Sequence, residues 1–228
     1  MKNFLTFMTV LFLTVSTSIG QVFQVDTLQY HGDADKYINV VVMGDGYTSS
    51  QQENFKRDAT NLLNYIFSQT PWSNYIRFFN FFAIKVVSSQ SGTKHPNTAS
   101  DCKNTSPLVP ISNPNTHLGC TFDAYGIHRL IVPQNISNVV EVLAKNFPNY
   151  DQAFVIANSP YYGGSGGYYA TSTTDLKSPE VSAHELGHSF VESPTAGDNI
   201  YRYVVCTCNN KASLELPDYF KYLNKNET

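Results

Sequence analysis

The sequence predicts an α/β fold with a mostly parallel, twisted sheet and helices on both faces. Apolar segments at 38–43, 79–87, 129–132 and 153–157 are predicted strands, and amphipathic helical segments lie between them. Apolar strands that alternate with helices are typical of parallel sheets covered on both sides. The chain has 228 residues and no visible repeat or linker, so we predict one domain with a sizeable core.

The N-terminus has the pattern of an export signal. Lys2 precedes an apolar stretch over residues 4–15, and small residues at 18 and 20 fit a signal-peptidase site. This stretch is shorter than the roughly 20 apolar residues that a membrane-spanning helix needs. We therefore predict a signal peptide over 1–20 and a folded domain over 21–228. The mature protein is expected to be secreted, extracellular or periplasmic, without membrane contact.

The charge balance argues against a nucleic-acid partner. Lys and Arg number 15 against 18 Asp and Glu, which gives a formal net charge of −3 at pH 7. A weakly acidic chain does not attract nucleic acid or an anionic membrane surface.

The first helix is predicted to follow Gly44-Asp45-Gly46, which we interpret as a tight turn at a strand end. Thr48 and Gln51 have the spacing of a capping box at a helix start. Helical spacing then predicts a buried face, formed by Phe55, Ala59, Leu62, Leu63 and Ile66.

A second helix is predicted to begin at Ser137 and to stop near Pro148. Its apolar face is expected to carry Val140, Leu143 and Ala144.

Residues 88–126 are predicted to form a long irregular loop, rich in Ser, Asn, Thr and Pro. Such a loop in a compact domain is usually functional or covalently fastened. Because export permits disulfides, we predict a Cys102–Cys120 bond that fastens it. The sequence does not determine how Cys206 and Cys208 pair, since four cysteines allow three pairings. We interpret three histidines as structural residues: His95 and His117 in this loop, and His128 just after it.

The chemistry is predicted to lie in His184-Glu185-Leu186-Gly187-His188. Ser178-Pro179-Glu180 has the pattern of a helix start, with Ser as N-cap and Pro in the first turn. His184 and His188 then stand one turn apart on one helix face and can share a zinc ion. Glu185 is the expected general base for the water molecule that attacks the substrate. Roughly 0.005 matches are expected by chance, which disfavours two ordinary helix histidines.

A catalytic zinc needs a third protein ligand and one open position. The metzincin spacing would require Gly at 191 and His at 194, where this chain has Val191 and Pro194. Glu192 and Asp198 are the remaining nearby candidates. We favour Asp198, because Glu192 would have to curl back along its own helix.

A serine hydrolase is the weaker alternative. Residues 163–167, Gly-Gly-Ser-Gly-Gly, match the nucleophile pattern G-x-S-x-G, but an elbow of that kind leads directly into a helix. Here a predicted strand follows. We therefore interpret the segment as a glycine-rich turn into an edge strand that lines the substrate cleft.

Several segments together resemble the M64 family of metallopeptidases. They are residues 41–48, 79–82, 125–129, 162–167 and 184–190, in that order along the chain. The resemblance implies a metzincin-like catalytic domain with zinc peptidase activity on protein or peptide substrates. Members carry an Ala-Asp-Glu-Tyr segment that should supply the third ligand, and residues 196–199, Ala-Gly-Asp-Asn, are its altered counterpart here.

The C-terminal part, residues 191–228, is atypical for that family. Members usually continue well beyond the active-site helix, so a catalytic domain truncated at its C-terminus is an open alternative. Two functions follow. The first is a secreted zinc endopeptidase, and the second is an inactive or truncated relative that binds a protein or glycoprotein.

Overall fold

The fold is known from a computed structural model that describes residues 21–167 and 169–191. Its helices are α1 (Gln52–Ser68), α2 (Trp72–Tyr75), α3 (Ile136–Asn146) and α4 (Ser178–Val191). Its strands are β1 (Val25–Gln29), β2 (Ile38–Asp45), β3 (Phe79–Ile84), β4 (Cys120–Thr121), β5 (Val132–Pro133), β6 (Gln152–Ala157), β7 (Gly164–Ser165) and β8 (Ala170–Thr173). The predicted signal peptide, Glu192, Asp198, Cys206 and Cys208 lie outside the described residues.

Six strands form one sheet in the order β1-β3-β2-β6-β8-β7. The inner pairings, β3 with β2, β2 with β6 and β6 with β8, are all parallel. Both edges are antiparallel, because β1 pairs with β3 and β7 with β8. The predicted α/β fold with a mostly parallel sheet is confirmed. None of the described helices is long and apolar enough to cross a membrane.

One face of the sheet is covered by α1 and α4. The backbone N–H of Thr48 donates to Gln51 Oε1 at 3.0 Å, as the predicted capping box requires. The helix is preceded by a 3₁₀ turn and presents the predicted buried face, to which Phe67 is added. Each large apolar side chain buried here contributes about 1.5–3 kcal/mol relative to exposure.

The opposite face is covered by α3 together with the strands β4 and β5. The helix begins at Ile136, one residue before the predicted start. Its buried side chains are Val139, Val142 and Leu143, whereas Val140 is half exposed. The predicted face was therefore wrong by one position, although the predicted end near Pro148 holds.

The predicted strand at 129–132 is wrong. Its first residues form a turn, in which the N–H of Leu130 donates to Ile127 O and Leu130 O accepts from Ala124 N. Only Val132 and Pro133 are extended, and they pair with β4 in a separate two-stranded sheet. Backbone groups that are bonded within a turn cannot also serve a sheet ladder.

The long loop, residues 88–126, is fastened to the sheet by a buried carboxylate at the end of β2. Asp45 Oδ2 accepts from Cys120 N at 2.7 Å and from Thr116 Oγ1 at 2.9 Å, while Oδ1 accepts from Leu118 N at 2.8 Å. Gly46 has a φ of +76°, and its backbone packs against the backbone of Gly92. A side chain on Gly46 would overlap Gly92. The predicted turn thus also anchors the loop.

The predicted Cys102–Cys120 disulfide is wrong, because both thiols are free and buried. Cys120 lies beside Asp45, and burial raises its pKa well above the usual value. Cys102 instead faces His95, Asp123 and His128. The two thiols therefore belong to different polar groupings, each of which fastens the loop without a covalent bond.

Candidate active site

Helix α4 begins at Ser178, one residue before the predicted first helical position at Pro179, so that serine is not its cap. Ser178 Oγ donates to Gly163 O at 3.0 Å and lies 2.6 Å from Thr173 Oγ1. Just before the helix, Asp175 Oδ1 accepts from Lys177 N at 2.9 Å, which closes the turn that leads into α4. The buried Ser178 hydroxyl thus ties the start of α4 to the glycine-rich segment that precedes β7.

One face of α4 is buried against β6, β7, β8 and α1. It carries Ser182 and Leu186, and the backbone at Gly187 is buried as well. Gly187 weakens the helix by about 1 kcal/mol relative to Ala, and it lies on the buried side of α4. The adjacent face, with His184, Glu185 and His188, stays partly accessible.

The two helix histidines, called the helix pair below, converge on one point. His184 Nε2 and His188 Nε2 are 2.9 Å apart, and the rings meet edge to face with centroids separated by 4.5 Å. Two neutral imidazoles can share one proton at this distance, or their lone pairs can face one cation. The predicted one-turn spacing thus brings the two Nε2 atoms together, and their role as metal ligands stays a prediction.

The carboxylate of Glu185 lies against the backbone of Gly166. A Cβ on Gly166 would stand 1.9 Å from Glu185 Oε2, so the missing side chain leaves the space that the carboxylate fills. Val181, one turn earlier on α4, packs in the same way against Gly164. The glycines of this segment therefore let α4 approach β7 closely and hold Glu185 beside the helix pair.

Ser165 does not have the setting of a serine nucleophile. It lies in β7, its Oγ donates to Ile131 O, and the hairpin partner β8 follows instead of a helix. The glycine-rich segment forms the edge strand itself, with its amide at Gly164 donating to Arg129 O at 3.0 Å.

Comparison with known families decides the relationship. The model of the family described as IgA Peptidase M64 matches residues 27–201, which is most of the chain. The chain belongs to this family. The match confirms the resemblance noted from the sequence, and it extends across the sheet, the long loop and α4.

Membership in the M64 family supports a peptidase, which acts on proteins or peptides. None of the curated proteins compared with the chain matches it. The matched range also includes Asp198, which lies outside the described residues, so its place relative to the helix pair stays a prediction.

A second group of chemically capable side chains was missed by sequence reasoning. His95, Cys102, Asp123 and His128, called the loop cluster below, are all buried and bring four ligand atoms within 4.8 Å of one another. The sequence alone indicates structural roles for His95 and His128 and a disulfide for Cys102. His117 lies apart from them, with its ring edge-on to Phe23 at 5.1 Å.

Proposed function

We propose that this M64 chain is a secreted, zinc-dependent endopeptidase that hydrolyses peptide bonds in protein or glycoprotein substrates. The observation that carries the proposal is the convergence of His184 Nε2 and His188 Nε2 on a partly accessible helix face. Family membership supplies the reaction class, and the helix pair supplies the residues.

The donor set fits zinc. His184 Nε2 and His188 Nε2 would hold the ion from one helix, and Asp198 is the proposed third protein ligand. The remaining corner is left for water. When bound, zinc lowers the pKa of that water to about 7, so that it can attack a carbonyl carbon.

Glu185 is the proposed general base. It neighbours His184 in the helix, and its carboxylate is confined between α4 and the backbone of Gly166. There it can take a proton from the attacking water and pass it to the leaving amine nitrogen. A carboxylate with one position to occupy loses less freedom when the substrate binds, which favours the reactive arrangement.

The alternative is an inactive relative that binds a protein without cleaving it. The match to a peptidase family favours the enzyme over this binding module. A secreted location, with residues 1–20 removed and a catalytic domain over 21–228, completes the proposal. N-terminal sequencing of exported protein would check the cleavage before Gln21.

Glu185→Gln tests the mechanism. The amide keeps the shape of the side chain but cannot accept the proton, so hydrolysis of dye-labelled casein should fall by about 100-fold or more. Zinc bound at the helix pair, measured by elemental analysis, should not change. Glu180→Gln is the matched control, because it makes the same substitution on an exposed position of the same helix and should keep its activity.

Retention of more than a few per cent of the activity by Glu185→Gln would refute the general-base role. If the unaltered protein binds no zinc at the helix pair and cleaves no substrate, the binding module becomes the better proposal.

A further inference from the structure

The loop cluster combines four different ligand-bearing side chains in the interior. His95, Cys102, Asp123 and His128 are between 1% and 7% exposed, so none of them meets bulk solvent. A carboxylate at this depth is costly unless opposite charge or several hydrogen bonds compensate it. Something in the cluster must therefore compensate the buried charge of Asp123.

The distances around Cys102 do not fit a single thiol proton. Its Sγ lies 3.3 Å from Asp123 Oδ1, 3.4 Å from His128 Nδ1 and 3.7 Å from His95 Nε2. A thiol can donate to one partner and accept weakly from another, which leaves the third contact unsatisfied. Neighbouring ligand atoms around a tetrahedral zinc ion lie about 3.3–3.6 Å apart, given the usual bond lengths. One cation at the centre would satisfy all three contacts together.

Two of the three remaining edges, both to Asp123, are also short, and the third, between the two histidines, is within 4.8 Å. His95 Nε2 is 3.5 Å from Asp123 Oδ1, within the spacing of a tetrahedral site. His128 Nδ1 is closer to the same oxygen, at 2.9 Å, which is a hydrogen-bond distance. A centred ion would lengthen that contact by a few tenths of an ångström.

Contacts outside the cluster orient its ligands inward. His95 Nδ1 lies 3.0 Å from Pro110 O, which places the ring proton there and leaves a lone pair on Nε2. Asp123 Oδ2 accepts from Thr98 N at 2.6 Å, so Oδ1 alone faces the cluster. Partners of this kind fix the tautomer and orientation of metal ligands.

His128 is fixed through its backbone and its ring face. Its N–H donates to Asp101 Oδ1 at 2.9 Å, and the ring stacks on Phe122 with centroids 5.5 Å apart. The second ring nitrogen, Nε2, has no partner among the described residues. Among the described residues, the polar contacts of the imidazole are therefore made by Nδ1, inside the cluster.

We propose that the loop cluster is a structural zinc site, separate from the helix pair. Binding would release the Cys102 thiol proton to solvent as a Zn–S bond forms, while Asp123 would bind as the carboxylate that it already is. The proton that His128 Nδ1 shares with Asp123 would move to Nε2, which leaves a lone pair on Nδ1 for the ion. Although burial opposes it, hydrogen bonds from His128 and Thr98 hold the pKa of Asp123 below its usual value. One Zn²⁺ with one thiolate and one carboxylate is neutral, which removes the cost of a buried charge.

The ligand types select the metal. A thiolate and two imidazoles favour zinc over Ca²⁺ or Mg²⁺, which prefer oxygen ligands. Four protein ligands leave no open position for water or substrate, which is the mark of a structural rather than a catalytic zinc. The ion would join both ends of residues 95–128, the role that the sequence had assigned to a disulfide.

Cobalt substitution tests the site without relying on catalysis. The test protein carries His184→Ala and His188→Ala, which remove the helix pair. It also carries Cys206→Ser and Cys208→Ser, so that Cys102 and Cys120 are its remaining cysteines. After removal of bound metal with a chelator, Co²⁺ should bind at one equivalent per chain. It should show a near-ultraviolet band from charge transfer between thiolate and cobalt, which an all-nitrogen and oxygen site lacks.

Cys102→Ser in this background should abolish the band, whereas Cys120→Ser should keep it. Cys120 is the matched control because it is also a free, buried cysteine of the same loop. Absence of the band from the background protein would overturn the proposal, and so would its persistence in Cys102→Ser. The background protein is itself decisive, so the proposal remains testable even if a cysteine variant does not fold.

Discussion

The helix pair and the loop cluster both bring two histidines together, but they are assembled in opposite ways. His184 and His188 are one turn apart on α4 and lie on a partly accessible face. The loop cluster draws its ligands from 95 to 128, and all four are buried. A local pair with room around it suits chemistry, whereas a closed set of four suits stability. Each group can be tested alone in a protein whose other group has been removed by substitution.

The largest effect is expected from removing metal from the loop cluster. In the His184→Ala, His188→Ala background, stripping the remaining zinc should lower the free energy of unfolding by about 3 kcal/mol, if the free zinc had been near 100 times Kd. For a domain of this size that corresponds to a fall in Tm of roughly 6–12 °C. Thermal unfolding with and without chelator measures it. An unchanged Tm would show that the cluster does not stabilise the fold through metal.

A smaller effect, on zinc affinity, is expected from removing Asp198, the proposed third ligand of the helix pair. Asp198→Ala should weaken zinc binding at the pair by at least about 100-fold, because loss of a direct ligand should exceed the 10–100-fold typical of outer contacts. Glu192→Ala is the control and should barely change it. Zinc retention against a competing chelator measures both in a Cys102→Ser protein, where only the helix pair binds. Equal retention by Asp198→Ala and its parent would remove Asp198 from the site.

The smallest effect is expected at Gly166. A methyl group there would overlap Glu185 Oε2 and force the carboxylate to move, so Gly166→Ala should lower kcat/KM by about tenfold or more. Thermal stability should change little, since a flexible side chain can yield. Ser165→Ala, at the preceding residue, is the control and should keep most activity. Loss of activity in Ser165→Ala instead would revive the serine-nucleophile interpretation.

The helix pair was predictable because its information is local. The spacing of His184 and His188 and the start of α4 at Ser178 follow from helix periodicity and turn residues, without knowledge of the rest of the fold. Likewise, the continuous apolar stretches gave β2, β3 and β6. The closeness of Gly166 to Glu185 was not predictable, because it depends on how α4 packs against β7.

The loop cluster was not predictable, because its residues are far apart in the sequence and meet only in the folded chain. Its members are separated by 5 to 28 residues in the contacts described above and follow no known metal-binding spacing. Cys102 and Cys120 sit in a Pro- and Asn-rich loop, where export chemistry favours a disulfide in any reading of sequence alone. What decides otherwise is tertiary: Asp45 holds the backbone at Cys120, and Asp123 faces Cys102.

The position of Asp45 also sets an order of assembly. Its carboxylate at the end of β2 bonds groups that lie 71, 73 and 75 residues further along the chain. Contacts over such spans form slowly, because a long segment must close before any of them contributes. We therefore expect the loop to become ordered only after the end of β2 has formed.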